Sequence, residues 1–329
     1  MGPTGPLVDL LDLDEQGNLL APDGKSAVPR DDIGAVLEER LHLDEGATDI
    51  FVYVHGWRTS KRKSRKSAGR LFGLLTELYG RQPARYPELD GFRPHYICVR
   101  WPSSGGYSTI RDRAERISRE GRAGRVLAGL LGYLNDRRTL PDPGPDILRN
   151  VHGQYLHCVG HSFGGRVLTT AVMETSERLL DGPDTLSWPW RDDNYPWTVD
   201  SLTVFQMAVP ADAFARPPFS ALLERNLLNA PIALTFTPRD RALGRWHRIG
   251  EKGANAVGFR GATEAAGPIH TTLLRPTTVP YEFPDPPARI INVNASRLYR
   301  STLPVAGAHS DYFHPESAHL LLSLAAAAR

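Results

Sequence analysis

The apolar run Tyr155-Leu-His-Cys-Val leads without a spacer into Gly160-His161-Ser162-Phe163-Gly164-Gly165, and a helical pattern begins at once after it. A short, continuous apolar run suits a strand buried on both faces. A chain passing from such a strand straight into a helix has room only for a sharp turn. Small residues are then needed two places either side of the turn's centre, because larger ones collide with the neighbouring strand or helix. Gly160 and Gly164 occupy those places around Ser162.

The rest of the chain repeats this alternation. Thr48 to Val54, Tyr96 to Val99, Leu202 to Val209, Ile232 to Phe236 and Arg289 to Val293 read as buried strands. Before, between and after them, helical spacing covers Asp32 to Leu41, Leu71 to Tyr79, Arg111 to Leu134, Gly164 to Leu180 and Pro315 to Ala328. Alternating strands and helices predict an α/β chain, a mostly parallel central sheet with helices on both faces. With 329 residues, a single domain is expected. It carries a hairpin-like N-terminal extension over about residues 1–45, signalled by Glu15-Gln-Gly-Asn between apolar pairs. Cys98 and Cys158 lie in strand patterns and read as two buried free thiols, since a disulfide would need adjacent strands.

The formal net charge of +2 is too small to make nucleic acid or a membrane surface the main partner. No run reaches the ~18 apolar residues of an integral membrane segment, and the start lacks a signal-peptide pattern. A cytoplasmic location is the expectation. No metal or other cofactor is implied, because two strand-borne cysteines build no site and acidic metal patterns are absent. Oligomeric state is not readable.

The Gly160-to-Gly164 segment matches G-x-S-x-G in the strand-turn-helix context that motif requires. Ser162 is therefore the candidate nucleophile. A serine hydroxyl needs a base to take its proton, and histidine titrates in the right range. Among the histidines after the last strand, His309 lies in the loop directly before the closing helix and is preferred over His314; His319 falls inside the helix. The acid belongs between Ser162 and His309, just past a strand end. Asp240 and Asp212 both satisfy this, and Asp240 is preferred; its carboxylate would fix the imidazole tautomer. Asp311 reads as a loop-ordering residue. Two N–H donors are expected for an oxyanion hole, from Phe163 and from Trp57 after the strand ending in His55-Gly56. His55, Gly56 and His161 are expected on the substrate side, with His55 too early in the chain to serve as the base.

Taken together, Phe51-Val-Tyr-Val-His-Gly-Trp-Arg-Thr-Ser, Val99-Arg-Trp-Pro-Ser-Ser-Gly, Tyr107 to Arg113, Gly160 to Val167, Arg239-Asp-Arg-Ala-Leu and His309-Ser-Asp-Tyr-Phe resemble an uncharacterised bacterial lipase/esterase-like family of the α/β-hydrolase superfamily. The resemblance spans most of the chain. It implies the α/β-hydrolase fold and a triad of Ser162, Asp240 and His309. The family often has Met where Phe163 stands.

The expected activity is cleavage of a small-molecule carboxylic ester through an acyl-serine. Alternatives are acyl transfer, thioester or amide cleavage on the same triad, or a binding protein without turnover. Three of the six tryptophans fall in Ser187 to Trp197, within a stretch (about 181–198) that reads as a packed contact loop or a lid. The basic run Arg58, Lys61, Arg62, Lys63, Arg65, Lys66 reads as a solvated helix face, or as an attractor of an anionic substrate or a phospholipid head group.

Overall fold

The computed structural model describes residues 5–29, 32–41, 46–119, 155–177, 199–224, 228, 230–284, 289–304 and 306–329. The Trp-rich stretch, the second half of the helix expected to reach Leu134, and the loop Pro141 to Pro145 lie outside the described residues.

Eight described strands form one all-parallel sheet: β1 Asp9–Asp12, β2 Asp49–Val54, β3 Pro94–Arg100, β4 Tyr155–His161, β5 Ser201–Phe205, β6 Ile232–Phe236, β7 Ile269–Leu273 and β8 Ile290–Asn294. Their order is β1-β3-β2-β4-β5-β6-β8-β7. The α/β class and the parallel sheet stand as expected. The helices used below are α1 Ile33–Arg40, α2 Lys61–Arg81, α3 Tyr107–Arg119, α4 Phe163–Glu177, α5 Ser220–Glu224, α6 Val257–Arg260 and α7 Pro315–Ala327.

Strand β2 shows why the sheet is covered twice. Ile50, Val52 and Val54 point into one core, with Val167, Leu168, Ala171 and Val172 of α4. Phe51 and Tyr53 point into the other, with Leu71, Phe72 and Leu75 of α2 and Leu320, Leu321 and Leu324 of α7. Alternate residues of a strand face opposite sides, so a strand apolar throughout must lie between two layers. Helices α2 and α7 pack together on one face, and α3 and α4 on the other.

Two findings depart from the sequence expectation. Residues 9–12 do not stand apart as an extension. Asp9–Asp12 pair in parallel with Ile97–Arg100 of β3, and two antiparallel bridges, Leu13 to Leu19 and Leu20 to Ala27, keep the hairpin character. Leu11 and Leu13 are buried by this placement, which gives the segment its reason to join the sheet. The second is β7, paired in parallel with β8. Cys98 and Cys158 are free and buried. They sit on β3 and β4, which flank β2, so an intervening strand keeps them apart. No helix among the described residues is long and apolar enough to cross a membrane.

From β2 the chain proceeds to β3 on one side, then returns across β2 to β4 and continues to β5 on the other. The loops leaving β2 and β4 therefore diverge. In a parallel sheet, a crevice opens outside the carboxyl ends of two such strands.

Candidate active site

Ser162 is one residue beyond the end of β4 and one before α4, with φ +55°. A non-glycine residue held in the left-handed region stores strain that the surroundings must impose. Here the glycines impose it. A Cβ on Gly160 would stand 2.3 Å from Cα of Gly165, and one on Gly164 would stand 2.3 Å from the carbonyl oxygens of Val54 and His55. These are backbone contacts that no rotamer change relieves, so helix and strand approach this closely only without side chains.

His309 Nε2 lies 2.9 Å from Ser162 Oγ, and His309 Nδ1 lies 2.7 Å from Asp240 Oδ2. A carboxylate only accepts, so Nδ1–H donates to Asp240 and the Nε2 lone pair faces the serine hydroxyl. Asp240 is fully buried and His309 is 7% exposed. The other Asp240 oxygen, Oδ1, accepts the Leu243 N–H at 2.9 Å. Both carboxylate oxygens are thus committed, which fixes the carboxylate plane.

Two loops bring acid and base together. Asp240 and Gly307 form an antiparallel bridge, and the Ala308 N–H donates to the Arg239 carbonyl at 3.1 Å. Gly307 has φ +57°, and a Cβ there would stand 2.4 Å from the Arg239 oxygen. A short π-helix, Ala242–His247, follows Asp240.

The other candidates fall elsewhere. Asp212 forms an ion pair with Arg216. His314 lies 3.3 Å from Asp311, and Asp311 accepts the Arg300 and Ser301 N–H groups, a loop-ordering role. His319 bonds Tyr86 Oη and the Val279 carbonyl from inside α7.

Gly56 lies against the serine turn: a Cβ on it would approach Ser162 Cβ to 2.9 Å and His161 Nδ1 to 2.7 Å. The Gly56-Trp57 turn and the first turn of α4, which starts at Phe163, therefore flank Ser162. Burial pushes the His55 pKa down to about 4. Its Nδ1–H donates to the Gly56 carbonyl, and its Nε2 accepts the Trp101 N–H. His161 is held well below the ordinary histidine range by burial first and by its neighbour His309 second; its Nε2–H donates to the His309 carbonyl at 2.8 Å. Both rings are buried and bonded inward, and neither lines the adjoining cavity. They hold the loops that carry Gly56 and His309.

Trp101 completes this support, and nothing in the spacing pointed to it. Its indole N–H donates to the His55 carbonyl at 2.7 Å. Nearby, Ser103 exchanges bonds with Thr59, accepting its N–H and donating to its carbonyl, both at 3.1 Å. The Trp-Pro-Ser segment after β3 thus braces the loop after β2.

A cavity of about 430 Å³ adjoins His309 and is bordered by Trp57, Ser310 and Phe313. Ser162 is 1% exposed, and it is His309, its hydrogen-bond partner, that borders the cavity. No protein-family model and no curated protein matches this chain.

Proposed function

We propose that this chain is a serine hydrolase of the α/β-hydrolase superfamily, close to its lipase/esterase-like members, that cleaves a carboxylic ester through an acyl-serine. The observation that carries the reading is the continuous line of hydrogen bonds from Ser162 Oγ through His309 to Asp240.

The chemistry follows from that line. His309 Nε2 takes the hydroxyl proton as Ser162 Oγ adds to the ester carbonyl. Asp240 stabilises the imidazolium that results. The tetrahedral oxyanion accepts N–H bonds from Phe163 and Trp57, donors of a kind worth about 2.7–4 kcal/mol of barrier each. Collapse of the intermediate breaks the bond to the alcohol oxygen, which takes the proton from His309. Water then adds to the acyl carbonyl as it gives a proton to the same nitrogen; collapse breaks the bond to Ser162 Oγ, which takes that proton back, and the acid leaves. His161, kept neutral beside His309, adds no positive charge to oppose imidazolium formation.

A binding protein without turnover has no use for a strained serine aligned with a histidine and a carboxylate. A fluorophosphonate probe offered to the wild-type protein and to Ser162→Ala tests the reading. Labelling of the wild type alone is expected; equal labelling of both rejects Ser162 as the nucleophile.

A further inference from the structure

The cavity beside His309 carries a charge pattern that ester cleavage itself does not require. Lys63, Lys66 and Arg70 recur along one face of α2 at helical spacing, and together with Arg58 they line it. Among the described residues, no Asp or Glu lines the cavity. Among the described residues none of these four pairs with a carboxylate, whereas Lys61, on the same helix, reaches Asp12 at 3.2 Å.

Two further observations show that the arrangement is held in place. Arg58 has φ +55°, the same left-handed conformation as Ser162, and its guanidinium lies 4.8 Å from the centre of the Trp57 ring. Arg70 lies 4.7 Å over Phe313. Both forks are thus steadied against cavity walls while their N–H groups stay available. Secondly, α2 opens with Lys61-Arg-Lys and has no acidic residue in its first turn. Cations at a helix N-terminus oppose the helix dipole, so local helix physics does not explain Lys63 there; an anion in the cavity that Lys63 lines does.

We propose that the ester substrate carries an oxyanionic group, a phosphate or a carboxylate, held by Arg58, Lys63, Lys66 and Arg70. This rests on the hydrolase reading above. His309 both borders this cavity and returns a proton to the departing oxygen, so the anion belongs to the alcohol portion of the ester. The concave shape suits a soluble ester in place of a flat bilayer surface.

Isothermal titration of the full chain with 4-hydroxyphenyl phosphate, an alcohol-side product bearing phosphate, tests this, with neutral 4-methoxyphenol as the matched probe. The phosphate compound is expected to bind more tightly, and to weaken as salt shortens the screening length from ~10 Å at 0.1 M to ~3 Å at 1 M. Lys63→Gln/Lys66→Gln is expected to lower its affinity about tenfold. Arg62→Gln/Arg65→Gln removes equal charge from exposed residues outside the cavity and is expected to leave it unchanged. Equal binding of the two probes, or equal loss in both double variants, overturns the proposal. So does binding only to phosphatidic acid vesicles. Fluorophosphonate labelling of the same samples separates the two claims. A labelled Ser162 without phosphate preference sinks the anion site and leaves the hydrolase. Lys63- and Lys66-dependent phosphate binding without labelling sinks the hydrolase reading.

Discussion

At the scale of the residue, Asp240 has two acceptor atoms and two donors to satisfy, His309 Nδ1–H and the Leu243 N–H. Asparagine has only one carbonyl oxygen. In Asp240→Asn, if that oxygen keeps the Leu243 bond, the amide NH₂ faces His309 Nδ1 and drives the imidazole proton onto Nε2, where it blocks transfer from Ser162. We expect kcat on an aryl ester to fall by roughly four orders of magnitude, with the urea unfolding midpoint close to wild type. An Asn variant retaining more than a tenth of wild-type kcat would remove Asp240 from the relay. Ser162, His309 and Asp240 were legible because chain order and strand ends restrict them. Asp240 was preferred over Asp212 on sequence, but both follow strands, and what separates them is the His309–Asp240 hydrogen bond, with the Asp212–Arg216 pair and the bridge at Gly307 beside it. The inward bonding of His55 and His161 was hidden for the same reason, since sequence places a residue on a loop without saying which way it points.

At the scale of the element, α4 sits against β5 because Gly165 leaves room for Val204: a Cβ on Gly165 would stand 2.0 Å from Val204 Cγ1. Gly165→Ala is expected to cost about 1–3 kcal/mol by overpacking. Adding Val204→Ala removes the clashing methyls and is expected to recover part of that loss in urea unfolding. Gly164→Ala meets the carbonyls of Val54 and His55 instead, so the Val204→Ala change is not expected to rescue it. Additive losses in the Gly165/Val204 pair would show that this contact does not set the helix position. The interior strands were readable from their apolar runs. Strand β7 was not, because Ile269-His-Thr-Thr-Leu lies at a sheet edge, half-exposed and mostly polar. Strand β1 looked like half of a hairpin because pairing with distant β3 leaves no local signal. The basic run was read apart from the apolar pattern that follows it, yet Lys61–Arg81 is one helix whose early turns reach beyond the core to the cavity.

At the scale of the whole molecule, the support of the site depends on histidines buried in neutral form. His55 and His161 have folded-state pKa values lowered from 6.5, so below pH 6.5 the unfolded chain binds more protons than the folded one. Their contribution is complete above that pH and is lost as pH falls. For His55 the drop to about 4 corresponds to about 2 kcal/mol forfeited between pH 7 and pH 5, on the way to about 3 kcal/mol at pH 4. Asp49 acts in the same direction at lower pH. Burial pushes its carboxyl up, but the His157 hydrogen bond and the charges of His157 and Arg329 outweigh this and lower it. Urea midpoints are therefore expected to fall clearly from pH 7 to pH 5, and equal midpoints would contradict the neutral-histidine account. The central claim is that strands β2, β4, β6 and β8 deliver one activated hydroxyl to a crevice at their carboxyl ends. Peptide mass spectrometry of the protein after fluorophosphonate treatment tests it most directly. The account predicts one adduct per chain, on Ser162; an adduct confined to another residue, or none at all, would contradict it.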